Sequence, residues 1–233
     1  MESVEELSVR EGYALWASSY DDDGNPLIAL EGPAVEALFE SLQGKQALDL
    51  GCGTGRHTLA LAKAKAHVTA LDQSPEMLAK AKVKLGHHSV SWVQHALPTP
   101  LPFRDDSFDI VVLGLVTEHI ADLDHLFQEI ARTLKTSGRV IITSLHPDRT
   151  AEGQRPRFID RETGRRRPIL GYHRTTEDYF RAGSSAGLVL EQEQTLIVPP
   201  SLGDQYPRAV PYIGQALGWL SSWSKPSSST RVL

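Results

Sequence analysis

The stretch "ALDLGCGTGRHTLALAK", residues 47–63, constrains the fold more than any other part of this chain. A short apolar run carries Asp49, three glycines follow at alternate positions (Gly51, Gly53 and Gly55), and a helical pattern begins at once. Clustered glycines between a strand and a helix let the backbone turn sharply and approach a ligand at the carboxyl end of a parallel strand, where open α/β sheets bind. From Gln46 onward, short apolar runs such as "HVTALD", "SVSWVQ", "FDIVVLGLV" and "RVIITSL" alternate with helical stretches such as "PEMLAKAKVKL" and "DLDHLFQEIARTLK". Repeated β-α units of this kind predict a mainly parallel sheet with helices on both faces.

Punctuation marks the boundaries. Ser74 before Pro75 fits an N-cap and first helical position, and "TSG" before Arg139 fits a helix stop. In front lies an arm, residues 1–45, whose "GPAVEALFESLQG" has apolar residues at helical spacing, and we expect it to form a helical arm or lid. Residues 46–225 form the α/β domain, interrupted at 146–174 by an Arg-rich, Gly/Pro-punctuated insertion and continued by a helix, "TTEDYFRAGSSAG", and a strand, "LVLEQEQTLIV". The tail, 226–233, has little to bury and is expected to fray.

The 233 residues, 40% of them hydrophobic, suffice for one buried core. A formal net charge of -5 provides no global field for neutralising phosphates, so nucleic acid is not an expected partner. One cysteine, Cys52, makes neither an internal disulfide nor a multi-cysteine zinc site, and no His/Asp/Glu spacing of the H-E-x-x-H type occurs, so no metal is expected. The acidic N-terminus lacks the basic and apolar regions of a signal peptide, and no run is long enough to span a bilayer. We expect a soluble cytoplasmic protein, monomeric or homodimeric.

The glycine spacing discriminates between ligands. A dinucleotide fingerprint, G-x-G-x-x-G, counted from Gly51 reaches Arg56 where a small residue is needed. Asp49 is expected to point negative charge at the mouth of the turn, which would repel a pyrophosphate and suit a ligand with an ammonium and a sulfonium, as in S-adenosylmethionine. Asp72 ends the next strand, placed to accept hydrogen bonds from ribose hydroxyls.

Taken in order, "LDLGCGTGRH", "VTALDQSPEML", "PLPFRDDSFDIVVLGLVTEHI" and "EIARTLKTSGRVIITSLHP" resemble the motifs of class I S-adenosylmethionine-dependent methyltransferases. More narrowly they resemble the group containing the ubiquinone/menaquinone C-methyltransferases and the malonyl-carrier-protein O-methyltransferases. The resemblance implies a Rossmann-like seven-stranded sheet, parallel except for its last strand, with "ALGWLSSWSK" as that strand. It implies that Asp49, Gly51 and Gly53 line the methionine part of the cofactor, Asp72 the ribose, and Gln73 and Met77 the adenine flank, with Gly55 of the same turn also among the cofactor-binding residues. Gly114 and Leu115 would lie beneath the cofactor, and Tyr20 of the arm would close over its methionine end. One departure stands out: the group commonly reads His-Asp-Leu before "PLPF", its Asp holding the adenine amino group, whereas this chain reads His95, Ala96, Leu97. Here either backbone groups alone hold the adenine edge at Ala96 and Leu97, or cofactor affinity is reduced.

Candidate catalytic side chains are His119 and His146, each just past a predicted strand, and His173, just before a helix. His119 has a bland alternative as a satisfied capping histidine. The Arg-rich segment offers a positive patch suited to carboxylates and phosphates, or else a solvated insertion. The expected activity is methyl transfer to a small acceptor, anionic or bound to an acyl carrier. The rival expectations are a non-catalytic cofactor-binding scaffold and an NAD-dependent oxidoreductase.

Overall fold

The structure is a computed structural model that describes residues 6–97 and 99–227; of the tail, residues 228–233 lie outside it. Helix α1 spans Val9–Trp16 and α2 Pro26–Glu36. Then follow β1 (Gln46–Leu50), α3 (Arg56–Lys63), β2 (His67–Asp72), α4 (Pro75–Leu85), β3 (Val90–Gln94), β4 (Phe108–Gly114), α5 (Leu123–Thr133) and β5 (Leu134–Leu145). Beyond these come α6 (Pro147–Ala151), a hairpin of β6 (Arg157–Ile159) and β7 (Arg166–Pro168), α7 (Thr176–Ser185), β8 (Val189–Ile197), α8 (Pro200–Gln205) and β9 (Ala216–Ser224).

The main sheet has seven strands in the order β3-β2-β1-β4-β5-β9-β8. All neighbours from β3 to β5 pair in parallel, and β9 runs antiparallel to both β5 and β8. The expected sheet is therefore present, with the last strand of the chain as the antiparallel one. Its weak patterning has a physical reason: wedged between two strands and covered on both faces, β9 buries consecutive residues, Ser221 and Ser222 included, so no period-two alternation is written into it. One face of the sheet packs Leu48, Val111 and Val140 against Phe127, Ile130 and Tyr179 of α5 and α7. The other packs Ala47, Val112 and Ile141 against Val35 of α2 and Leu61 of α3.

Ser74 caps α4 as expected, accepting from the Met77 amide at 3.2 Å, with Pro75 first in the helix. Two boundaries differ from expectation. The helix α2 begins earlier than "GPAVEALFESLQG" and ends inside it, because Asn25 caps its start by accepting from the Leu27 amide and Pro26 takes the first position. Leu38 and Leu42 then pack on the core from irregular backbone. The helix α5 stops at Thr133 rather than at "TSG", where β5 instead bulges through Ser137, which has positive φ. A Cβ on Gly138 would sit 2.7 Å from the Lys135 carbonyl, so the bulge needs glycine there.

The strand order reverses between β1 and β4, which opens a crevice at the carboxyl ends of the parallel strands. Two outlying pieces close around that crevice. Trp16 of α1 stacks on Phe158 of the β6–β7 hairpin at 5.4 Å between centroids, and Leu7 bridges to Ile169.

Candidate active site

A cavity of about 280 Å³ occupies the crevice, with Gly51, Gly53, Asp72, Gln73, Gly114 and Leu115 in its wall. The three glycines of the turn divide the work. Gly53 has positive φ and an added Cβ would meet nothing within 4 Å, so it forms an open lip where a ligand can lie against backbone. Gly55, outside the cavity wall, starts α3 in the left-handed region and lets α3 pack on α4, where a Cβ would come within 2.9 Å of Leu85 and 3.0 Å of Ala81.

Asp72 is anchored by the turn that it faces. Its Oδ2 accepts from the Gly53 amide at 2.8 Å and its Oδ1 from the Ser74 amide at 2.9 Å. Each carboxylate oxygen keeps a lone pair, so two adjacent hydroxyls of a ribose can still donate to it. Burial raises its pKa, against the pull of these amides. Asp49 lies deeper, fully buried, and does not line the cavity: it accepts from Thr58 Oγ1 at 2.6 Å, which fastens β1 to α3 beneath the turn. Its pKa too is raised by burial.

Around the cavity rim, His95 and Leu97 line the wall, whereas Ala96 is exposed and does not. Thr99 Oγ1 bonds both to His95 Nε2 at 2.8 Å and to the Ala96 carbonyl. Met77 is fully buried behind the wall rather than in it. Leu115 takes a φ of 61°, a costly conformation for a branched side chain, and it faces both this cavity and the next.

A second cavity, about 410 Å³, adjoins the first and shares Tyr13, Tyr20 and Leu115 with it. Tyr20 therefore stands at the junction, and burial pushes its hydroxyl up to about 12, so it is neutral. Tyr13 is raised for the same reason. His119 also lines the first cavity, its Nδ1 on the Leu170 carbonyl at 2.7 Å and its Nε2 on the Tyr13 hydroxyl at 2.9 Å. A carbonyl only accepts, so Nδ1 carries the proton and Nε2 accepts from Tyr13. Burial lowers the His119 pKa, which keeps that neutral tautomer.

The other histidines stand apart. His146 lines neither cavity; its Nδ1 receives the Asp148 amide at 3.4 Å and its Nε2 faces Thr195 Oγ1 at 3.4 Å. His173 is exposed, with Nδ1 against Thr150 Oγ1 at 2.9 Å, and also lines neither.

The second cavity is instead ringed by Arg155, Arg157, Arg166 and Arg208, with Glu118 in its wall. Arg155 pairs with Glu6 at 2.8 Å and Arg208 with Asp23 at 3.1 Å, while Arg157 and Arg166 have no carboxylate partner among the described residues. Three of these arginines belong to the segment flagged by composition. Arg208 and Glu118 do not, and the sequence reading missed both. Glu118 stood inside the quoted "TEHI", where its neighbour His119 drew the attention.

Open backbone at Gly53, two free acceptor sites on Asp72 and apolar walls from Leu97, Val116 and Ile120 suit an adenosyl group whose reactive end reaches the junction of the cavities. Arg56, which breaks the dinucleotide fingerprint, is committed elsewhere, paired with the buried Glu31. Fold and crevice thus have the form of an α/β enzyme whose sheet switch point suits a nucleoside-based cofactor. Residues 48–142 match the family described as methyltransferase domain. An uncharacterized methyltransferase of Emericella nidulans is 30% identical over 221 residues, covering 79% of this chain and 77% of that protein. A malonyl-[acyl-carrier protein] O-methyltransferase of Erwinia billingiae is 31% identical over 148 residues, 64% of this chain and 57% of that one. The crystal structure of an S-adenosylmethionine-dependent methyltransferase from Mesorhizobium loti superposes with a TM-score of 0.72 over 86% of this chain and all of that one, at 22% identity. The chain belongs to the S-adenosylmethionine-dependent methyltransferase family, and S-adenosylmethionine is its cofactor.

No helix among the described residues is long and apolar enough to cross a membrane.

Proposed function

We propose that the protein transfers the cofactor's methyl group to a small anionic acceptor held in the second cavity. The observation carrying this reading is the junction of the two cavities at Tyr13, Tyr20 and Leu115, with Arg157 and Arg166, which have no carboxylate partner among the described residues, in the wall of the second. An adenosyl group along Gly53 and Asp72 would direct its sulfonium toward that junction. The two free guanidiniums would hold a carboxylate or phosphate of the acceptor, free or carrier-borne. Rate acceleration then comes mainly from aligning donor and acceptor in a closed site. In this reading Tyr13 and Tyr20 come from the arm, so the arm acts as a lid, and His119 positions Tyr13. His146 and His173 have no part in the chemistry.

The test is methyl-group transfer from labelled S-adenosylmethionine across a panel of small acids, with the Arg157→Gln/Arg166→Gln double variant alongside. The expected result is a KM for anionic acceptors raised at least tenfold, with a weaker salt dependence and an unchanged affinity for S-adenosylhomocysteine. Unchanged KM would leave the arginines as solvated surface. Tight NADH binding without S-adenosylhomocysteine binding would refute the cofactor assignment.

A further inference from the structure

Glu118 occupies an unusual position for a carboxylate. It sits in a single turn, Thr117–His119, just past the carboxyl end of β4, and is 4% exposed. Its Oε1 accepts from the Leu145 amide at 2.6 Å, at the end of β5. Its Oε2 is buried with no hydrogen-bond partner, and no cation pairs with the carboxylate among the described residues. Of the four arginines that line the same cavity, Arg155 and Arg208 pair with Glu6 and Asp23, and none forms an ion pair with Glu118 among the described residues. Around it stand Tyr13 of α1, Glu31 of α2 and Tyr179 of α7, the last bonded to Thr117 Oγ1 at 2.8 Å, while its own carbonyl receives the Tyr172 amide. None of these groups supplies positive charge to it. A buried acceptor left without a donor is costly, and its persistence in a cavity wall points to a donor arriving with a ligand.

Resting on the methyl-transfer reading above, we propose that Glu118 is the general base of the reaction and that the methylated atom of the acceptor is a neutral hydroxyl or acidic carbon. Oε2 takes the proton from that O–H or C–H, and the electron pair so released forms the new bond to the methyl carbon. The carbon–sulfur bond breaks with its electrons going to sulfur, leaving S-adenosylhomocysteine and a protonated Glu118, which releases its proton to solvent as the product departs. The acceptor is thus anionic where it meets Arg157 and Arg166 and un-ionised where it is methylated. A carboxylate as nucleophile needs no base and would be repelled by Glu118. His119 serves less well as a base, since both its ring nitrogens are already bonded. Burial foremost, with Glu31 adding to it, raises the Glu118 pKa to about 7. A base titrating there is half ionised at neutral pH and is strong enough to assist such an acceptor.

The experiment pairs Glu118→Gln and Glu118→Asp with wild type on hydroxy acids and β-keto acids, using the matching unsubstituted carboxylic acids as controls. Infrared titration of the buried carboxyl band in the ligand-free protein runs alongside. The expected result is transfer to hydroxy or keto acids only, a kcat at least 100-fold lower in Glu118→Gln with partial rescue in Glu118→Asp, and loss of the acid limb of the kcat/KM profile. S-adenosylhomocysteine affinity by calorimetry should stay within twofold, and a carboxyl band with a midpoint near neutrality should vanish in Glu118→Gln. Turnover of Glu118→Gln within threefold of wild type, preferred methylation of the unsubstituted acids, or the absence of that band would overturn the proposal. Should no acceptor on the panel be used, the infrared titration decides. Failure of wild type to bind S-adenosylhomocysteine would instead mark failure of the underlying reading.

Discussion

Replacing Glu118 by glutamine should remove a pH dependence from the folding stability itself, independent of any substrate. In the unfolded chain this glutamate titrates near 4.5, whereas burial moves it to about 7 in the folded protein. Between those values the native state holds a proton that the unfolded chain has released, so stability is greatest below the unfolded pKa and falls as pH rises through the folded one. At about 1.4 kcal/mol per tenfold change in proton affinity, the ionised native carboxylate costs about 3 kcal/mol above the window. For a domain of this size that is a fall in Tm of roughly 6–12 °C. Thermal melts and urea titrations from pH 5 to 8, at constant ionic strength, should show the gap between Glu118→Gln and wild type widening in favour of the variant. Asp49 and Asp72, both raised by burial, contribute slopes of the same sign, but these are common to both proteins and cancel in the difference. A gap independent of pH would refute the assignment of Glu118 as a buried, uncompensated acid.

Three further outcomes follow from the site. Asp72→Asn places an amide where the carboxylate meets the Gly53 and Ser74 N–H groups and weakens the acceptors for a ribose; S-adenosylhomocysteine affinity by calorimetry should fall by about 1.5–3 kcal/mol, roughly ten- to a hundredfold. Gly53→Ala and Gly55→Ala both force alanine to positive φ, yet only the second also collides with Leu85 and Ala81, so chemical denaturation should show the larger loss in Gly55→Ala and calorimetry the larger affinity loss in Gly53→Ala. Glu31 is pushed up by burial but held below its usual range by His57 and Arg56, so Glu31→Gln should destabilise by about 1–3 kcal/mol in urea at pH 7, since the buried acceptor loses its charge while the partly exposed Arg56 guanidinium can still turn to solvent.

What the sequence by itself determined is what depends on neighbours along the chain. The strand–glycine–helix turn, the ends of β2 and β4, the capped start of α4 and the place of Asp72 rest on periodicity, φ preference and capping within a few residues of one another. The family motifs lie in that same run, so the fold was legible, and Gly51, Gly53, Asp72, Gln73, Gly114 and Leu115, named there for a cofactor, share the wall of one cavity. The second cavity was not legible. Its wall joins Tyr13 and Tyr20 of the arm, Glu118 after β4, Arg157 and Arg166 of a short hairpin and Arg208 near the C-terminal strand, residues tens to hundreds of positions apart. None of their spacings follows a helix or strand period, and their meeting depends on how α1 and the hairpin dock through Trp16 and Phe158. Adjacent in sequence, Glu118 and His119 look alike as candidates; only the packing separates them, giving both nitrogens of the histidine partners and leaving one oxygen of the glutamate buried and free. Burial and partner count are properties of the assembled core, which is why tertiary structure alone could separate these two neighbours.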